Sequence, residues 1–200
     1  MSISGREETS AEAFDVVATI GNGKKHIVIS TPSSGWFRCG GERGPGIALW
    51  LGLAGWASHR DSNARYTFIA TSAHELGQQG MRHILGSESL RPKHVDAWLH
   101  LGSSIAAHGT ERRLMTNRKE WLPGLARQFG SFNGLKPEVT DKPGGELSQL
   151  AALGYGCFGI LGGHTLSHSP GDNAQATSAE LLGPVGEALL RTLAEIESSL

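Results

Sequence analysis

Apolar positions fall into short continuous runs separated by polar, glycine-rich stretches, and the period of each run predicts an element. FDVVATI over 14–20 and HIVIS over 26–30 are strand-length runs flanking Gly21, Asn22 and Gly23. Asn-Gly between two such runs is a turn signal, so these strands are expected to pair as a hairpin. A polar, glycine-rich segment follows, broken by Trp36, Phe37 and Cys39. Pro45 then opens a helix over 46–57, at a position where its missing N–H costs nothing. That helix is apolar almost all round, which predicts burial on most sides. RYTFIAT over 65–71 reads as a strand, with a short helix running to about 85. VDAWLHL over 95–101 and CFGIL over 157–161 read as further strands. Residues 110–130 read as a helix broken at Pro123-Gly124, 141–145 as a loop and 146–153 as a short helix. A terminal amphipathic helix is expected over 178–198, interrupted near Gly183-Pro184.

Strands alternating with helices, each strand a continuous apolar run, predict an α/β fold. A three-layer α/β/α sandwich with a mostly parallel mixed sheet is expected. No internal repeat or long linker divides the chain, so one domain over 13–200 is expected behind a flexible leader over 1–12. In open α/β sheets, sites form beyond the carboxyl ends of the strands. Four segments should lie there: 31–44, 72–75, 102–104 and 164–172. Glycine is the compositional outlier, 28 of 200 residues and about twice ordinary usage. The glycines are scattered, which excludes collagen and low-complexity linkers and predicts many tight turns and close approaches. Eighteen basic against nineteen acidic residues give a net charge of −1, which argues against nucleic-acid and polybasic membrane partners. No apolar run nears the ~20 residues of a membrane span, and the start lacks the apolar core of a secretory signal. The two cysteines, Cys39 and Cys157, form no disulfide framework. A cytoplasmic protein is the resulting expectation.

Several residues can carry chemistry at that edge. His74 and Glu75 follow a strand; they suit a base or metal ligand, or simply a carboxylate at a helix start. His168 sits in a Gly/Pro-rich loop and suits a ligand or acid/base, or is a solvated histidine; His164 is a weaker candidate. Cys39 precedes two glycines and is read either as a nucleophile or as a small buried hydrophobe. Glu42 suits a ligand or base, and Arg43 a carboxylate clamp or a local salt bridge. His100, inside a strand, lines the core or the crevice. Cys157 belongs to the core. The segment around Gly40–Gly44 fits neither a phosphate loop nor a dinucleotide fingerprint.

The order of pieces resembles the co-catalytic di-zinc aminopeptidase family, which includes bacterial leucyl aminopeptidases, glutaminyl cyclases and the transferrin-receptor and nicastrin ectodomains. The resemblance covers residues 14–198. It is carried by IVISTPSS over 27–34, GIALWLGLA over 46–54, FIATSAHELG over 68–77, WLHLG over 98–102 and HSPGD over 168–172. It implies a zinc-exopeptidase-like fold and, in the family, two zinc ions with a glutamate base. Mapped onto this sequence, the family's first histidine and aspartate fall on Thr31 and Ser33. The bridging aspartate falls near Gly41, beside Glu42, and the glutamate base on His74. The glutamate ligand falls on Glu75, a further aspartate on Gly102 and the last histidine on His168. Only Glu75 and His168 are retained ligand types, so a standard di-zinc site is not expected. One divalent metal, zinc above others, held by Glu75, His168 and Glu42 is one expectation; no metal is the other.

Two readings follow. The first is a divergent hydrolase acting on an amide or peptide-like bond. His74 is its base, Glu75 and His168 orient it or bind one metal, and Cys39, Ser33 or Ser34 is a nucleophile. Ser33, Ser34, Trp36, Arg43, His100 and His164 line the crevice for a small-molecule or peptide-like substrate. The second is an inactive aminopeptidase-like binding or scaffold protein. Five tryptophans and the apolar helices would tolerate a protein interface, so a homo-oligomer or a partner subunit stays open.

Overall fold

The computed structural model describes residues 10–130 and 135–200, so most of the leader expected over 1–12 lies outside the described residues. The strands are β1 (Val16–Ile20), β2 (Lys25–Pro32), β3 (Ala64–Thr71), β4 (Ala97–Leu101), β5 (Glu111–Thr116), β6 (Pro137–Val139) and β7 (Cys157–Gly163). The α-helices are α1 (Gly44–Ser58), α2 (Gln79–Leu85), α3 (Leu122–Phe129), α4 (Leu147–Ala152) and α5 (Ala179–Ser199). The seven strands form one mixed sheet in the order β1-β3-β2-β4-β7-β5-β6. Its centre is parallel, β3, β2, β4 and β7 running together, while β1 pairs antiparallel to β3 and β5 antiparallel to β7.

Alternation along the strands divides the core into two layers. Ile27 and Ile29 of β2 join Leu49 and Leu53 of α1, Leu125 of α3 and Leu189 of α5. Val28, between them, points to the other face and joins Met81 of α2 and Leu147 and Leu150 of α4. This is the expected three-layer α/β sandwich. Cys157 lies in the second layer, as expected.

Four local expectations are corrected. The strands β1 and β2 do not form a hairpin, because β3 inserts between them and pairs with both. The almost fully buried β2 gains two partners in the centre, and β1, mostly exposed, takes the edge. The glycines between them serve close approach instead: a Cβ on Gly23 would lie 2.0 Å from the Asn63 carbonyl carbon at the entrance to β3. The segment read as one broken helix over 110–130 begins with a strand, since Leu114, Met115 and Thr116 are buried against β7 and Thr116 Oγ1 donates to the Cys157 carbonyl at 2.9 Å. Sheet pairing there overrides local propensity, and only α3 after it is helical. The helix α1 buries one face and leaves Leu51 59% exposed, so it is not enclosed on most sides. Finally, α5 runs unbroken through Pro184, because its buried stripe from Val185 to Ile196 anchors it and Pro184 lies exposed near its start.

Gly23→Ala is expected to lower the unfolding free energy by about 1–3 kcal/mol in chemical denaturation, because backbone cannot yield to the new methyl. Gly55→Ala, on the exposed face of α1 with open space around it, should be neutral or stabilising by up to about 1 kcal/mol. Equal midpoints for Gly23→Ala and the unsubstituted chain would show that this close approach does not set the strand order.

Candidate active site

The parallel strands β2, β3, β4 and β7 end together, and the four segments beyond their carboxyl ends converge as expected. The loop after β2 is held from below by Asp172, whose two carboxylate oxygens accept the backbone N–H groups of Gly41 (2.6 Å) and Glu42 (3.1 Å). The Arg43 N–H closes a turn onto the Cys39 carbonyl at 2.9 Å, and the Ser104 N–H bonds the Glu42 carbonyl at 2.9 Å. This frame fixes Glu42 and Arg43 as buried charged residues at the entry to α1.

Arg43 is the centre of the cluster. Its Nη2 lies 2.7 Å from Glu75 Oε1 and 3.0 Å from Glu42 Oε1, and its Nε donates to the Ser34 carbonyl at 2.8 Å. His168 Nε2 lies 3.1 Å from Glu42 Oε1 and 3.9 Å from Glu75 Oε2. The ligating atoms of Glu42, Glu75 and His168 all fall within 4.8 Å of one another. Arg43 Nη1 and Glu42 Oε2 are buried and have no hydrogen-bond partner among the described residues.

A second cluster lies beside it. His74, in the short turn His74–Leu76, places Nδ1 2.8 Å from Glu146 Oε1. Glu146 is fully buried, takes Thr71 Oγ1 at 3.3 Å and has His100 Nε2 3.8 Å from Oε2. Burial, the largest single influence, raises the Glu146 carboxyl, but the hydrogen bond from His74 together with the neighbouring His100 and Thr71 outweighs it and holds the group below the usual carboxylate range. His100 is driven the other way: burial pushes it down to about 4, against the pull of Glu146, so it is neutral at pH 7. Its Nδ1 meets Ser30 Oγ at 2.9 Å, and Ser30 Oγ also accepts from Trp98 Nε1 at 2.8 Å. A cavity of about 170 Å³ opens between the clusters, walled by Pro32, Arg43, His74, His100, Glu146 and Leu161. That is smaller than an ordinary ligand pocket, so it admits one end of a molecule.

The remaining expected residues fall as follows. Ser33 Oγ donates to the Thr71 carbonyl at 3.0 Å, and Ser34 Oγ accepts the backbone N–H of His74 at 3.0 Å. Neither hydroxyl meets the imidazole. Cys39 sits at φ +39° outside the cavity wall, and burial pushes its thiol up, the opposite of an activated nucleophile. Trp36 is 51% exposed and lies outside the cavity lining, so the structure does not bring it into the cluster. His164 is a support, its Nδ1 bonded with Ser104 and Ser167 hydroxyls at 2.9 Å. The residue the sequence reading missed is Glu146, which reads as an ordinary carboxylate at a helix start. It caps nothing in α4 and turns into the sheet edge. No local pattern distinguishes the two roles.

No family model matches the chain, and no curated protein matches it. Solved structures do. The Bacillus subtilis zinc aminopeptidase BSAP is similar with a TM-score of 0.74 and 15% identity, over 90% of this chain and 49% of that one. The aminopeptidase of Aneurinibacillus sp. strain AM-1 gives 0.75 and 19%, over 91% and 47%. The Legionella pneumophila LapA aminopeptidase gives 0.76 and 14%, over 93% and 55%. The chain therefore has the fold of these aminopeptidases and spans about half of their length.

The residues present do not fit the paired metal site that the resemblance implies. A Cβ on Gly41 would lie 2.8 Å from Ala176 Cβ, and one on Gly102 2.7 Å from Leu161 Cβ, so neither position has room for an aspartate. Thr31 Oγ1 and Ser33 Oγ are engaged with the Leu101 and Thr71 carbonyls.

The pH dependence of stability follows from the second cluster. His100 stays neutral in the fold down to about pH 4 but protonates near 6.5 when unfolded, so the unfolded state binds more protons between those values. Stability is complete above pH 6.5 and falls by about 3 kcal/mol as pH drops toward 4. Glu146, depressed below its ordinary 4.5, adds a further loss below that pH. His100→Gln should flatten the slope of unfolding free energy between pH 6.5 and 4; an unaltered slope would assign the acid sensitivity elsewhere.

Proposed function

We propose that this chain, with the fold of the zinc aminopeptidases, is a peptidase-like hydrolase domain that cleaves an amide bond by water attack, with no metal. The observation that carries the reading is the His74 Nδ1–Glu146 Oε1 contact of 2.8 Å at the wall of the cavity. An ionised, buried Glu146 accepts the Nδ1–H and fixes the tautomer, leaving Nε2 with a lone pair. That nitrogen takes a proton from water in the cavity as water attacks the substrate carbonyl, then returns it to the leaving amine. Arg43 lines the same cavity, and its positive charge there favours the oxygen on which negative charge grows.

The alternative nucleophiles are weaker on physical grounds. A serine needs its hydroxyl proton drawn off by a base, yet Ser33 donates to a carbonyl and Ser34 accepts from a backbone N–H. The Cys39 thiol is held protonated by burial. Glu75 serves as the partner of Arg43, fixing the guanidinium rather than orienting His74. The substrate end that enters is small and peptide-like, given the size of the cavity.

The test is turnover across a panel of small amides and aminoacyl amides. His74→Ala and Glu146→Gln are each expected to lower kcat/KM by about 100-fold or more while melting close to the unsubstituted chain. Unchanged rates would remove His74 from the chemistry. A chain that turns over none of the panel would favour the scaffold reading.

A further inference from the structure

We propose that the Arg43 guanidinium is the resident cation of the Glu42–Glu75–His168 cluster, taking the place a divalent ion would fill, so that the chain takes up no zinc there. Among the described residues this trio is the only group of histidine, cysteine or acidic side chains assembled to hold a metal. Its donors are nevertheless committed. Glu75 Oε1 and Glu42 Oε1 both face Arg43 Nη2, at 2.7 and 3.0 Å. His168 Nε2, 3.1 Å from Glu42 Oε1, must carry a proton to donate to that carboxylate, and a protonated ring nitrogen has no lone pair for a metal.

The charge balance points the same way. Glu42 is buried and Glu75 largely so, and two such carboxylates need positive charge between them. A guanidinium stays protonated at any physiological pH and spreads its charge across a planar fork. Here the side chain is 2% exposed and its Nε is pinned to the Ser34 carbonyl, so it cannot swing out to admit an ion. A divalent ion entering the trio would meet a fixed positive charge a few ångströms away and would have to displace two ion pairs. Removing the guanidinium should free three oxygen and nitrogen donors, the number and type found in catalytic zinc sites.

Arg43 also lines the cavity of the hydrolase reading, but zinc uptake is measured by binding alone. A chain that ignores zinc yet cleaves nothing would remove that reading and leave this one standing. Zinc is titrated calorimetrically into the unsubstituted chain, Arg43→Met and Arg43→Lys, with melting followed in zinc and in chelator. The unsubstituted chain and Arg43→Lys, which keeps a cation, are expected to take up none and to melt alike in both buffers. Arg43→Met should melt lower in chelator, recover in zinc and bind one ion per chain on the order of 100-fold more tightly than the unsubstituted chain. Stoichiometric zinc on the unsubstituted chain, lost in Glu75→Gln, would overturn the proposal. So would a folded Arg43→Met that ignores zinc. If Arg43→Met does not fold in either buffer, the comparison of the unsubstituted chain with Glu75→Gln decides.

Discussion

A single buried guanidinium ties the working edge of this protein together. Arg43 leaves the start of α1 and reaches Glu42 in its own loop, Glu75 after β3 and the Ser34 carbonyl after β2. Other hydrogen bonds join pairs of these segments, the His74 N–H to Ser34 Oγ among them, but Arg43 reaches all three at once. A buried ion pair of this kind adds little net stability compared with a well-packed apolar substitute, but removing one partner strands the other charge. The contact therefore constrains arrangement more than it adds free energy. It also orients the cavity wall, because His74 immediately precedes Glu75 and borders the same space.

The sheet makes this possible. Four parallel strands deliver four loops to one edge. Charge then divides into two zones. Around Arg43, carboxylates and a cation balance at close range. Around Glu146, one buried carboxylate accepts a hydrogen bond from His74, while His100 beside it stays neutral. The two adjacent zones therefore satisfy their buried carboxylates by different means, one with a guanidinium and one with an imidazole and a hydroxyl.

Much of the fold was legible along the chain. The runs over 26–30, 65–71, 95–101 and 157–161 are short, strand-length and mostly apolar, and they are β2, β3, β4 and β7. The misreadings share one cause. Strand β5, with the exposed Glu111 and Arg113, is apolar only at its end, and it becomes a strand because β7 offers an unpaired edge. The glycines at 21 and 23 carry a hairpin signal, yet they serve the passage of β3. In both cases the deciding partner lies far away in sequence.

The same division holds for the site. By itself the sequence determined the α/β class, the edge at which chemistry gathers, and the presence there of Glu42, Arg43, His74, Glu75 and His168. These follow from short-range pattern: apolar runs that must be buried and polar loops that must follow them. Tertiary structure alone decided that Glu146 backs His74, that Asp172 holds the loop bearing Glu42, and that Arg43 lies between two carboxylates. Apart from the adjacent Glu42–Arg43 pair, those contacts join residues 32 to 131 positions apart. Their existence depends on side-chain directions at loop ends, where no periodicity constrains the backbone and only the closing of the whole sheet fixes which charges meet.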